Sequence, residues 1–244
     1  MKNTNISVLR SNGLSMAFGD FKVLKNIDLS IQQGEIVGVL GPNGAGKTTL
    51  MNLLTGAYQP TDGQVHLMGQ DVTRLDTAAR CRAGLGRTHQ VPRPFTGMTV
   101  FENVLVAVRH GRNTSADDPV AEAWQILQDT GLDVVANRQA ATLGLLDRKR
   151  LELSRALATD PQVLLLDEIG GGLTQSEGDK LVALIRKVHA RGVTIIWIEH
   201  IMRMLMDSCT RLICMAGGRI IADGTPRDVI DAPAVQLAYF GAAA

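Results

Sequence analysis

The stretch Gly41-Pro42-Asn43-Gly44-Ala45-Gly46-Lys47-Thr48 constrains this chain more than any other part of it. Residues 35–40 before it read as a strand. Residues 47–56 after it read as a helix, with Leu50, Leu53 and Leu54 on one side and Gly56 as its stop. A glycine-rich turn between strand and helix lets successive backbone N–H groups face a single point, and the helix N-terminus adds positive potential there. The ligand this geometry takes is a chain of phosphates. Lys47 is spaced to reach the β- and γ-phosphates, and Thr48 offers a hydroxyl to Mg²⁺. The fold that carries such a turn is α/β with a parallel sheet. Kinases, GTPases and motor ATPases all remain open at this point.

Composition narrows the partners. The 244 residues carry 25 Lys+Arg against 24 Asp+Glu, a formal charge of +1. That balance argues against a polybasic nucleic-acid binder, and no nucleic-acid partner is expected. Apolar runs such as 163–166 and 194–198 are far short of the roughly 20 residues needed to cross a bilayer. The polar start shows no secretory signal. Cys81, Cys209 and Cys214 form no CxxC pair and read as reduced packing residues.

Along the chain, residues 27–31 and 64–68 read as strands, and 101–108, 119–130 and 148–157 as helices. The stretch 109–119 reads as a polar loop, with Asp117 or Asp118 as an N-cap. Residues 163–166 and 193–198 are continuous apolar strands of a buried parallel sheet. A helix spans 176–190, a hairpin 211–222 and a helical tail 226–240. This order describes one domain over 1–244. Its β-rich core is formed by about 1–89 and 160–244, and its helical subdomain by about 90–159.

The strand 163–166 delivers Asp167 and Glu168 to its end. Behind a phosphate loop, Asp167 reads as a Mg²⁺ holder and Glu168 as the general base that polarises attacking water.

Several ordered elements together resemble the ATP-binding subunits of ABC transporters over almost the whole chain. Phe18, in LSMAFGD, stands where that family stacks an aromatic on adenine. Gly41, Pro42, Asn43, Gly44, Ala45, Gly46, Lys47, Thr48 and Thr49 match its Walker A loop, and LLLDE matches its Walker B. Gln90, in GRTHQ, matches the Q-loop glutamine that joins Mg²⁺ and the lytic water to the membrane subunit. His200, in IIWIEH, matches the switch histidine that senses the γ-phosphate. The resemblance implies a phosphate-loop ABC nucleotide-binding domain with an antiparallel β subdomain and a helical subdomain. It implies ATP and Mg²⁺ as ligands, with Thr48, Gln90 and Asp167 around the metal. It also implies a second ATP-binding subunit in a head-to-tail sandwich, as homo- or heterodimer, and transmembrane permease subunits. A solute-binding protein is an indirect partner. The expected place is the cytoplasmic face of the inner membrane, as a peripheral subunit. Taken alone, Phe18 also reads as a core aromatic, Gln90 as a loop residue and His200 as a surface histidine. Glu199 beside it reads as a solvated charge or a helper, and the Met-rich run 201–206 as packing.

Two segments depart from the family pattern. The signature loop LSGGQ falls on Leu143-Gly144-Leu145-Leu146-Asp147, which keeps only the first leucine and loses the serine hydroxyl. The D-loop reads Ile169-Gly170-Gly171-Gly172-Leu173-Thr174, with Thr174 where Asp is common and a triple glycine that implies pliancy.

Within the family, the runs GRTHQVPRPFTGMTVFENV, LDEIGGGLTQSE and GTPRDVIDAPAVQLAYFG resemble the branched-chain amino acid uptake class. The expected function is ATP-driven uptake of branched-chain amino acids or related small solutes. The competing readings are an export or envelope-lipid ATPase of the same family, a soluble mechanical or regulatory cassette, and a weakly hydrolysing nucleotide-binding subunit.

Overall fold

A computed structural model describes residues 7–113 and 116–240. The polar start, part of the loop expected at 109–119 and the last four residues lie outside the described residues. The first strands, β1 (Ser7–Phe18) and β2 (Phe21–Gln32), form a hairpin. After β3 (Ile36–Leu40) comes α1 (Lys47–Leu54), then β4 (Asp62–Leu67), β5 (Gln70–Asp71), α2 (Thr77–Arg82) and β6 (Leu85–Arg87). Three helices follow: α3 (Val100–His110), α4 (Pro119–Thr130) and α5 (Leu145–Leu157). The chain then alternates through β7 (Val163–Asp167), α6 (Gln175–His189), β8 (Thr194–Ile198) and α7 (Met202–Met206). It closes with β9 (Arg211–Ala216), β10 (Arg219–Gly224), α8 (Pro226–Asp231) and α9 (Pro233–Phe240).

Two sheets result. A four-stranded antiparallel sheet has the order β2-β1-β4-β5, and a six-stranded sheet has the order β10-β9-β3-β8-β7-β6. In the larger one, every pairing from β9 to β6 is parallel. All five residues of β3, β7 and β8 are buried, the signature of strands covered on both faces. Alternate residues then serve opposite cores. Val37, Val39, Val163, Leu165, Ile196 and Ile198 pack toward α1 and the antiparallel sheet. Ile36, Leu40, Leu164, Leu166, Ile195 and Trp197 pack toward α5, α6 and α8. Helices α3, α4 and α5 share a third core, built on Val100, Val104, Leu127 and Leu151.

Several elements differ from the sequence reading. Helix α5 begins at Leu145 rather than at residue 148, so Leu145, Leu146 and Asp147 are its first turn and not a loop; Gly144, extended at φ −68° and ψ 170°, is the N-cap. Helix α3 runs on to His110, shortening the loop after it. The tail is two helices, because Ala232 is extended at ψ 128° before Pro233, as the residue preceding a proline tends to be. Asp118 is the N-cap of α4, accepting from the amides of Val120 and Ala121. Strand β1 escaped the sequence reading because bulges break its alternation.

The end of α1 is held by a buried cation. The Arg80 guanidinium, 0% exposed, donates to the carbonyls of Leu53, Leu54, Thr73 and Leu75. Arginine here satisfies carbonyls that a helix C-terminus leaves without partners. Gly56 follows with φ +78°, and a Cβ there would lie 2.6 Å from the Leu75 carbonyl oxygen. Arg80→Met is expected to lower unfolding stability by about 2 kcal/mol, since those carbonyls lose their donor; urea unfolding reads this directly.

Cys209 and Cys214 are buried, and burial pushes their thiols up to about 12 and about 11, so both are neutral packing groups. Among the described residues, no helix is long and apolar enough to cross a membrane.

Candidate functional site

Parallel strands put their carboxyl ends on one edge, and ligands of open α/β sheets bind there. The edge formed by β3, β8 and β7 collects three of the sequence motifs. Residues 41–48 leave β3, Asp167 and Glu168 leave β7, and His200 leaves β8, which lies between them.

In the loop after β3, Ala45 donates its amide to the Pro42 carbonyl. The amides of Gly44, Gly46, Lys47 and Thr48 have no backbone partner among the described residues. Gly44 (φ +80°) and Gly46 (φ +101°) adopt the left-handed conformation that turns these amides inward. Gly46 also has no room for a side chain, since a Cβ would stand 2.6 Å from Leu24 Cδ2. The Lys47 ammonium donates to the carbonyls of Gly41 at 2.6 Å and Pro42 at 3.2 Å. Burial lowers its pKa, against the charges of Glu168 and Asp167, which raise it.

Asp167 is 4% exposed, and Arg87 Nη2 donates to its Oδ2 at 2.9 Å. Arg87 Nη1 reaches Asn52 Oδ1 at 2.8 Å and Thr55 Oγ1 at 3.3 Å, tying β7 and β6 to α1. Gln90 Nε2 donates to Glu168 Oε2 at 2.6 Å. Among the described residues, no donor reaches Oδ1 of Asp167 or the amide oxygen of Gln90. Glu168 has φ +44°, an uncommon conformation for a side chain with a Cβ, held by its amide on the Ile198 carbonyl at 2.9 Å. His200 Nδ1 lies 3.9 Å from Glu168 Oε2 and 3.8 Å from Glu199 Oε2.

The side chains expected around the metal, Thr48, Asp167 and Gln90, can all offer oxygen. Among the described residues, no cluster of three or more His, Cys, Asp or Glu could hold a metal by itself. That suits Mg²⁺, which keeps waters and takes phosphate oxygens along with one or two protein ligands.

Phe18, 49% exposed, is no core aromatic. It ends β1 opposite Phe21, near the Val23–Leu24 segment that packs on Gly46. Its ring meets the edge of Tyr58 at 5.7 Å between centroids and 81°. Tyr58 was not singled out from the sequence, nor was Arg87. The signal for Arg87 was its place three residues before Gln90 in GRTHQ.

The D-loop departures have local causes. Thr174 caps α6: its hydroxyl accepts from the Glu177 amide, and the Glu177 carboxylate accepts from the Thr174 amide. Gly172 has φ +76°. Gly170 has no space, because a Cβ would lie 2.6 Å from Met204 Sδ and 2.7 Å from Glu199 Oε1. Gly170 therefore answers close approach, and Gly172 backbone geometry. Glu199 is not a solvated charge, being 1% exposed.

A β3 loop of inward amides beside a strand-end carboxylate pair is the machinery of a phosphate-loop nucleoside-triphosphatase. The sequence profile of the family described as "ABC transporter" matches residues 24–170. The chain therefore belongs to the ABC transporter family and is one of its ATP-binding, ATP-hydrolysing cassettes. It is 38% identical to the high-affinity branched-chain amino acid transport ATP-binding protein BraF of Pseudomonas aeruginosa, over 97% of this chain and 98% of that protein. LivG of Escherichia coli, a protein of the same description, gives 38% identity over the same shares. The lipopolysaccharide export system ATP-binding protein LptB of Acidithiobacillus ferridurans is 32% identical over 96% of this chain and 97% of its own length. Among solved structures, a nucleotide-free ATP-binding cassette from an ABC transporter superposes with a TM-score of 0.88 at 29% identity, covering 96% of this chain and 99% of its own.

Proposed function

We propose that this cassette powers the uptake of branched-chain amino acids or related small solutes, as a peripheral subunit on the cytoplasmic face of the membrane. The observation that carries this reading is the end-to-end similarity, at 38% identity, to transport ATP-binding proteins of that description. ATP sits with its adenine on Phe18 and its phosphates in the loop from Gly41 to Thr49, with Lys47 turned from the Gly41 and Pro42 carbonyls to the phosphate oxygens. Thr48, Asp167 and Gln90 would hold Mg²⁺, which would supply neutralisation of phosphate charge. Glu168 takes a proton from the attacking water, Gln90 orients the Glu168 carboxylate and His200 contacts the γ-phosphate.

The partners in this reading are a second ATP-binding subunit, a pair of permeases and, through them, a solute-binding protein. Residues 90–159 form the subdomain that meets the permease. A cavity of about 280 Å³ opens there between Arg87, Phe95, Val106 and Glu152. The segment after Gln90 exposes Val91, Phe95 and Met98, and the Arg155 guanidinium lies 4.9 Å over the Phe95 ring. The test is affinity purification of the tagged chain from solubilised membranes of its own cells. A second cassette and two permeases are expected; recovery as a lone chain outside the membrane fraction contradicts the reading. Recovery with envelope-lipid export components would favour the export reading that the similarity to LptB raises.

The first turn of α5 bears on the partner's ATP. Its N-cap, Gly144, offers no hydroxyl, and Leu145 is 45% exposed. In a head-to-tail sandwich this chain gives its partner's nucleotide backbone amides and a helix N-terminus only. A heterodimer with a partner of regular signature loop then has one strong and one weak site, and a homodimer two weak ones. Gly144 has φ −68°, and a Cβ added there would meet nothing within 4 Å, so serine fits without strain. Gly144→Ser is expected to raise ATP turnover of the assembled pair by about tenfold, the worth of one hydrogen bond to a charged phosphate. Unchanged turnover would show that the amides suffice.

A further inference from the structure

The segment between β6 and α3 carries Gln90 and has no strand or helix of its own. Pro92 and Pro94 interrupt it and remove two backbone donors. Its remaining amides must find acceptors on other elements. At the start of the segment, the Thr88 amide donates to the Leu165 carbonyl of β7 at 2.9 Å. Around Gln90 the acceptor is a side chain. The Glu152 carboxylate, in α5, takes the His89 amide on Oε1 at 3.3 Å and the Arg93 amide on Oε2 at 3.2 Å. One donor precedes Gln90 by a residue and the other follows it by three.

Glu152 is 5% exposed, and a buried carboxylate needs both hydrogen bonds and a cation. Arg155 supplies the cation. Positions three apart share a helix face, and Arg155 Nη1 donates to Glu152 Oε2 at 3.2 Å. The same Nη1 donates to the Arg93 carbonyl at 2.6 Å, and the guanidinium lies over the Phe95 ring. The far end of the segment is fixed from α3. Asn103, 0% exposed, accepts from the Phe95 amide at 2.8 Å and donates to the Phe95 carbonyl at 3.0 Å. Both oxygens of Glu152 thus grip the backbone from which Gln90 reaches Glu168 at 2.6 Å. Glu152 and Arg155 also line the cavity in the helical subdomain, so a group seated there meets the clamp. The helix that carries them begins at Leu145, the end offered to the partner's nucleotide in the head-to-tail sandwich.

We propose that Glu152, with Arg155 as its counter-ion, is the positioning residue of Gln90: it fixes the backbone on both sides of Gln90 so that the side chain reaches Glu168, and it ties that placement to the seating of α5. Glu152 acts through Gln90 and is not itself a catalytic residue. This rests on the roles assigned above to Gln90 and Glu168, and adds the residue that holds the first against the second.

The clamp is tested on the full-length chain in its assembled transporter complex by ATP turnover and by binding of a fluorescent ATP analogue. Glu152→Gln keeps side-chain size but turns an NH₂ group toward one of the donors that the carboxylate accepts from. It is expected to lower kcat about tenfold, with KM for ATP and analogue affinity within about twofold of wild type. In Gln90→Ala the clamp has no side chain left to place. The double variant is therefore expected to turn over at the rate of Gln90→Ala alone. A residue that merely stabilises the fold would slow both backgrounds by the same factor. Wild-type kcat in Glu152→Gln overturns the proposal, as do losses that multiply in the double variant or a loss that falls on KM alone. If Glu152→Gln does not fold, Arg155→Met is run in the same two backgrounds, with the same results expected and the same results overturning. Gln90→Ala by itself separates the two levels. Its loss of turnover beside unaffected Glu152→Gln overturns the clamp only, whereas wild-type turnover in Gln90→Ala overturns the role of Gln90 beneath it.

Discussion

Replacing Glu168 with glutamine is expected to lower ATP turnover by about 10²–10⁴-fold while leaving ATP affinity within a few-fold of wild type. The expectation follows from what the substitution keeps. Glutamine preserves size, the φ of +44° and the backbone bond from residue 168 to the Ile198 carbonyl. It removes only the capacity to take a proton from water. It also turns the 2.6 Å contact with Gln90 from amide-on-carboxylate into amide-on-amide, a weaker bond. Steady-state phosphate release measures the first effect, and equilibrium binding of a fluorescent ATP analogue measures the second. A variant that hydrolyses at the wild-type rate would move the base elsewhere on this edge.

The second large effect is structural. Arg87 and Asp167 form a buried pair whose side chains are 14% and 6% exposed. Removing one member of such a pair leaves the other charge buried without compensation. Arg87→Met is therefore expected to lower unfolding stability by about 4 kcal/mol. For a domain of this size that is a fall in Tm of roughly 8–16 °C. Part of the loss should return on adding Mg²⁺ with ATP, because a cation at Asp167 replaces the missing charge and binding to the folded state stabilises it. Thermal melts with and without Mg²⁺ and ATP read both effects. A melting temperature unchanged without ligand would mean that solvent reaches Asp167 and screens it.

Sequence pattern carried the parallel sheet well, for a physical reason. Strands β3, β7 and β8 are buried on both faces, so they appear as unbroken apolar runs that end in turn or acidic residues. The loop 41–48 was equally legible, since its glycines, Lys47 and Thr48 are adjacent in sequence. Strand β1 was not, because its bulges break the alternation by which half-buried strands are read. Nor was the true start of α5, where Gly144 caps without a side chain and leaves no Ser, Thr, Asp or Asn as a mark. In the site, long-range pairings stayed hidden. Arg87 meets Asp167 across 80 positions and Gly170 meets Glu199 across 29. Nothing local distinguishes a buried Glu199 from a solvated one until the Gly170 amide is brought beside it. Thr174 shows the converse: read as a departure from a family pattern, it is an ordinary helix cap.

In the proposed function, hydrolysis on this edge drives a small amphipathic solute inward through separate permeases. Proteoliposomes bearing the complete complex put that to the test, with ATP on the cassette side and radiolabelled leucine with solute-binding protein on the other. Leucine is expected to accumulate on the ATP side with this chain wild type, and to stop accumulating when this chain carries Glu168→Gln. Equal leucine movement in the two preparations, or movement away from the ATP side, would contradict the proposed function.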